Sequence, residues 1–158
     1  MKFFYTVILL MLSVSSVRAL EVDLPIKTYI VKSGSSGNIE IEIDKDTYNA
    51  KYDESTSKFK DLKVPFKVKT SSSYFSLYNL SLIQSSSKCE SDFINLNFKL
   101  DERDINVGDV VKKISFDSHD GSYSFKNHSL SFIFPIILQK EKSIHCTGSA
   151  SVFVEAVI

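Results

Sequence analysis

The sequence predicts an all-β protein, an immunoglobulin-like sandwich of two sheets. Apolar and polar residues alternate along most of the chain, no helical period stands out, and clusters of Ser, Asn, Asp and Gly break the alternation about every dozen residues. Twelve Phe, seven Tyr and an apolar content of 43% supply a core, while five Gly and three Pro are too few for a collagen-like or proline-rich chain. A closed barrel is the competing architecture. The 158 residues fit one domain and leave no room for a catalytic domain beside a binding domain. Lysine and arginine total 19 and so do the acids, so no net field draws in a phosphate backbone and no nucleic-acid partner is expected.

Taken in order, residues 1–19 read as a cleaved secretory signal. Lys2 precedes the apolar run Phe3 to Leu12, and Val17 and Ala19 occupy the −3 and −1 positions of a signal-peptidase site. That run is too short for a stable membrane span, which leaves an exported chain. Residues 20–37 form an N-terminal extension: Leu20, Val22, Leu24 and Ile26 alternate with Glu21, Asp23, Pro25 and Lys27, and a Ser/Gly linker, Ser33 to Gly37, follows. The sandwich domain is then 38–158. Ile39, Ile41 and Ile43 make a strand, and the polar stretch Lys45 to Lys58 is expected to be a loop. Leu62, Val64, Phe66 and Val68 form a half-buried strand whose Pro65 argues for an edge or a bulge. Tyr74 to Gln84, Ile94 to Leu100 and Val110 to Phe116 follow as strands, with Ser71 to Ser73 and Ser85 to Ser87 as loops. Asp120-Gly121 is a hairpin turn leading into Ser122 to Lys126. Leu130 to Leu138 and the terminal row Ala150, Val152, Val154, Ala156 and Ile158 complete the set.

Export makes Cys89 and Cys146 a natural disulfide pair, and closing the long loop between them is worth about 4 kcal/mol in the chain-entropy account. The competing reading, a metal site through His145 and Cys146, lacks a second ligand at a suitable spacing. No nucleophile elbow, zinc-protease motif, phosphate-binding glycine loop or dinucleotide fingerprint is present, so neither a catalytic residue nor a cofactor is assigned. Asp101, Glu102 and Asp104 surround Arg103, but their spacing fits no calcium loop and they read as a solvated turn. Asn79-Leu80-Ser81 and Asn127-His128-Ser129 match the glycan-acceptor pattern.

The two ends of the exported chain carry the functional signal. A fold that ends on an alternating strand exposes a groove or a sheet edge, and an extended segment such as Leu20 to Ile26 fills it by strand addition, with Leu20, Val22, Leu24 and Ile26 entering pockets. This layout resembles the pilins of the bacterial chaperone-usher pathway, most of all the colonisation-factor, or alpha-class, fimbrial subunits. The resemblance rests on the signal followed at once by an alternating segment, on Tyr52 to Phe59 leading into the Leu62 strand, and on Gly148 before the terminal strand. It implies a structural or adhesive fimbrial subunit that polymerises by donor-strand complementation, its N-terminal residues lodged in the next subunit. It also implies a periplasmic chaperone that pairs with Ala150 to Ile158, an outer-membrane usher, neighbouring pilin subunits, and a host receptor where the subunit is adhesive. Pairing of the N-terminal strand within its own domain is the open alternative. A monomeric secreted sandwich that binds a lipid or protein ligand is the competing function, with Phe132, Phe134, Ile136 and Ile137 as candidate lining of an apolar cavity.

Overall fold

A computed structural model describes residues 23–30, 39–71, 73, 75–138 and 144–157. The described residues form strands and turns without a helix. In chain order the strands are β1 (Asp23–Ile30), β2 (Ile39–Glu42), β3 (Thr47–Asp53), β4 (Lys58–Phe59), β5 (Leu62–Thr70), β6 (Leu77–Cys89) and β7 (Asp92–Phe93). They continue as β8 (Asn97–Leu100), β9 (Arg103–Ile105), β10 (Val110–Ser115), β11 (Ser118–His119), β12 (Ser124–Ile133) and β13 (Cys146–Val157). One sheet runs β10-β6-β13-β1-β3-β4 with β7 beside β6, and the other runs β2-β5-β12-β8-β9 with β11 beside β12.

Alternation decides which side of each strand is buried. Val64, Phe66 and Val68 of β5 and Leu130 and Phe132 of β12 point into the core from one sheet. Tyr78, Leu80 and Leu82 of β6 and Ala150, Val152 and Val154 of β13 meet them from the other. On the outer face of the first set, Lys69 reaches Glu40 and Glu42, and Lys67 reaches Glu42. β2 ends opposite Lys67, so at Pro65 the β5 strand has a single neighbour, the edge-like position a proline tolerates.

Three segments depart from the sequence reading. The stretch 45–58 contains β3 and β4, because Ala50 and Phe59 are buried and Tyr48 and Tyr52 pack against the core from the same row. Ser85 to Ser87 are not a loop: they lie within β6, where β13 pairs with them from Gly148 to Ala150. Ser124 to Lys126 and the first part of the Leu130 row are one strand, β12, with Ser122 and Tyr123 in the turn before it, while residues 134–138 leave the sheet. Asp120-Gly121 does form a tight turn, between β11 and β12, with Gly121 at φ 91° and the Asp120 carboxylate accepting from the Ser122 and Tyr123 amides.

The core contains one polar cluster, and it ties the two sheets together. His128 of β12 is buried, stacks on Phe66, and has both ring nitrogens engaged. A carboxylate only accepts, so Nδ1 donates to Asp101 at 2.5 Å and Nε2 accepts the Tyr78 hydroxyl of β6, also at 2.5 Å. Burial, with Asp101 and Asp117 adding to it, pushes the Tyr78 hydroxyl well above the ordinary tyrosine range and keeps it a donor. Asp101 reaches His128 from a two-residue turn between β8 and β9, where Asp101 and Glu102 both have positive φ, 49° and 67°. Residues with a Cβ seldom occupy that region. Asp101 has hydrogen bonds that hold it there, to His128 and to the Ser129 amide, whereas the Glu102 side chain has only an exposed pairing with Lys63.

Four measurements test this account. Glu102→Gly should raise the melting temperature, by an amount corresponding to about 1 kcal/mol, because it relieves the left-handed backbone at the cost of a weak surface pair. Tyr78→Phe should lower the urea-unfolding free energy by about 1–3 kcal/mol, since it leaves a buried imidazole nitrogen without a donor. Replacing both Cys89 and Cys146 by Ser should cost about 4 kcal/mol for a pair separated by 57 residues. The fourth is acid sensitivity. Glu42 is held low by Lys69 and then Lys67, and Asp117 by Lys126 and then Ser118, from ordinary values of 4.5 and 3.8. Carboxyls lowered by folding stabilise the fold above their unfolded values, and that contribution is lost as pH falls through the lower folded ones. The urea midpoint should therefore hold steady at mildly acidic and neutral pH and decline below about pH 4, with added salt reducing the change.

Candidate functional site

The feature with the clearest functional meaning is a seam in the larger sheet. β13 pairs with β6 over its whole length, from Cys146 opposite Cys89 to Val157 opposite Leu77, and the disulfide links the first of those pairs. β3 and β4 form a separate hairpin, and what joins the two halves is β1. It runs parallel to β13, with Ile26 opposite Gly148 and Ile30 opposite Val152, and antiparallel to β3, with Asp23 opposite Lys51 and Lys27 opposite Thr47. Without β1 the sheet would be two pieces.

β1 is shorter than the edge it covers. Its register with β13 stops at Val152, so Phe153 to Val157 have β6 on one flank and no strand of the described residues on the other. The remaining edges of the molecule are blunted. β10 carries Lys112 and Lys113 and a register shift between Val111 and Ile114, where Lys113 has φ 57° and its amide donates to Asn79. β2 has four residues, two of them Glu, and β9 has three. Charges, bulges and short length are the usual protection of a sheet edge, and the far half of β13, Phe-Val-Glu-Ala-Val, has little of it.

The sequence-assigned residues fall here as follows. Leu24 lies opposite Ala50 of β3, and Ile26 lies opposite Tyr48 of β3 and Gly148 of β13. Leu20, Val22 and Ile158 lie outside the described residues, as do the signal segment and the Ser33 to Gly37 linker. Ala150, Val152 and Val154 are buried and Ala156 packs against the core, so β13 meets any partner strand through its backbone. β3 as the second wall of the seam was missed. The signal was the row Tyr48, Ala50, Tyr52, which the surrounding Asp and Lys obscured. Tyr48 marks this wall in another way: its hydroxyl is buried without a hydrogen-bond partner among the described residues, and burial, then Asp44, raises its pKa.

Other candidates are accounted for elsewhere. Phe132 packs on Phe98 and Phe134 on Phe59 as core, while Ile136 is exposed, so that row does not line one cavity. Ile137 is tied to the β3–β4 hairpin, its amide donating to Ser57 and its carbonyl accepting from Tyr52. Among the described residues no group of three or more His, Cys, Asp and Glu is placed to hold a metal ion.

No protein-family model matches the chain, and no curated protein does. Among solved structures it is similar to the CooA pilin subunit from enterotoxigenic Escherichia coli, with 7% identity and a TM-score of 0.47, over 73% of this chain and 97% of that one.

The close approach of β13 to β6 is testable at Gly148, where a Cβ would lie 3.3 Å from that of Ser87. Gly148→Val should separate the strands where β1 also pairs and lower stability by about 1–3 kcal/mol, read from the urea midpoint. Ser87→Gly in the same chain should recover part of that loss.

Proposed function

We propose that this chain is a structural or adhesive subunit of a surface fibre, in which the seam between β13 and β3 accepts the N-terminal strand of a neighbouring copy. The observation that carries this reading is that the larger sheet is continuous only through β1, an N-terminal strand. A strand that bridges two halves of a sheet can be supplied from another molecule without changing the body of the fold, and a head-to-tail exchange of that kind gives an open-ended polymer. Among the described residues no strand lies on the β1 side of Phe153 to Val157, which offers an incoming strand further ladder. On this reading a newly exported subunit needs a periplasmic chaperone over the seam and an outer-membrane usher to exchange it. The protein is then non-enzymatic and works on the cell surface.

The test removes residues 1–30. The truncated chain should aggregate or fail to accumulate as a monomer, and a copy of residues 20–31 joined after Ile158 by a flexible linker long enough to return along β13, with which β1 pairs in parallel, should restore a soluble monomer by size-exclusion chromatography. A truncated chain that stays monomeric, with an unchanged urea midpoint, would overturn the proposal. A second reading has its own observation in favour: β1 lies in the seam of its own chain, as a self-contained secreted sandwich requires. Labelled peptide 20–31 separates the two. Uptake by the full exported chain supports exchange, and no uptake after prolonged incubation supports the monomer.

A further inference from the structure

The large apolar side chains left exposed among the described residues fall into two groups at opposite ends of the larger sheet. Single exposed apolar residues are ordinary on a monomer, whereas a cluster held rigidly in water marks a contact surface. The first group frames a notch on the flank of β6 that faces away from β13. β10 pairs with β6 as far as Ser81, and the Gly108 amide then donates to the Leu82 carbonyl. β7 resumes the pairing at Lys88, and the Ile94 amide donates to the Ser87 carbonyl. Between those bonds Ile83 to Ser86 have no ladder partner on that flank among the described residues, a gap of about 13 Å at 3.3 Å per residue. Ile83 is exposed within the gap, Val107 and Val110 stand exposed at one end of it, and Phe93, 81% exposed, stands at the other.

The second group is a ridge beside the β3–β4 hairpin, formed by Ile136 and Leu138, which are 70% and 72% exposed. Neither side chain is free to turn inward, because the segment is pinned around them. Phe134 packs on Phe59 of β4. Ile137 is fixed at both backbone groups, its amide donating to the Ser57 carbonyl and its carbonyl accepting from the Tyr52 hydroxyl, each at 2.7 Å. Two positions apart, Ile136 and Leu138 span at most about 7 Å of backbone, which fits within the notch. β4 lies four strands from β6, about 19 Å at 4.8 Å per strand, so a chain cannot seat its own ridge in its own notch.

Charge selects how the two surfaces meet. Lys112 and Lys113 follow Val110 on β10, both exposed and neither ion-paired among the described residues, while the nearby Asp109 carboxylate is committed to Asn106. Beside the ridge, the turn that ends at Ser57 carries Asp53 and Glu54. Hydrogen bonds from Ser55, and then Lys60, hold the Asp53 carboxyl below its ordinary range, and Lys58 pairs with Asp61. Glu54 is exposed without a cation partner among the described residues. Notch against notch would oppose lysine to lysine, whereas ridge against notch sets Glu54 towards Lys112 and Lys113. We infer that the Ile136–Leu138 ridge of one copy of this chain docks in the notch beside Ile83 of the next, a head-to-tail contact that needs no exchange of strands. Its two halves differ, so each copy in a pair keeps one half free and the contact propagates instead of closing.

Sedimentation velocity of the exported chain, residues 20–158, should show reversible association that grows from micromolar to millimolar concentration. A ridge variant, Ile136→Ser with Leu138→Ser, and a notch variant, Phe93→Ser with Val107→Ser, should each weaken it at least about ten-fold through lost apolar burial. Their urea midpoints should stay close to the parent's, because all four side chains face water. An equimolar mixture of the two variants should form a dimer and nothing larger, since each retains the half that the other has lost. An exported chain that stays monomeric at millimolar concentration, association that survives in both variants, or a mixture that stays monomeric would overturn the inference. Strand exchange through the seam predicts survival in both variants, because none of the four positions lies in β1, β3 or β13, so the two proposals fail separately.

Discussion

The structure depends on the hydrogen-bonding requirement of one strand, β13. Its inner face supplies Ala150, Val152 and Val154 to the core, so its backbone cannot be left to water along its whole length without loosening the sheet. β6 satisfies one flank completely, and among the described residues β1 satisfies part of the other. The dependence of the sheet on an N-terminal strand comes from this division. The other edges of the described residues are charged, bulged or brief, the usual protection against further strand pairing.

A different logic holds the sheets face to face. The core is mostly apolar, and across it Tyr78, His128 and Asp101 form a chain of hydrogen bonds from β6 through β12 to the β8–β9 turn. Such a chain specifies alignment more sharply than aliphatic packing does, because a shift of one sheet leaves a buried nitrogen or hydroxyl unpaired. It also explains a local irregularity. Asp101 takes up an unfavourable backbone conformation at a position where its carboxylate is needed, and Glu102 shares the same tight turn.

Much of the fold was legible because alternation is a direct consequence of a half-buried strand. The rows Val64-Phe66-Val68 and Val152-Val154 could hardly be read otherwise, and Asp120-Gly121 announced its turn. The errors came where composition masked geometry. β3 is written in Thr, Tyr, Asn and Lys, and its burial depends on partners distant in sequence. Ser85 to Ser87 resemble a loop because serine has little β preference, yet the neighbouring Cys89–Cys146 bond and the β13 ladder hold them extended.

The covalent link between Cys89 and Cys146 has a mechanical meaning. It fastens β13 to β6 at the end where β13 begins, and eleven more paired residues continue from there. Tension applied through β1 acts in shear on a few backbone bonds, while the ladder behind them is longer and cannot peel from its bonded end. Under load the β1 pairing gives way before the disulfide-anchored β13–β6 ladder, and a detached β1 leaves β3 and β4 without a link to β13.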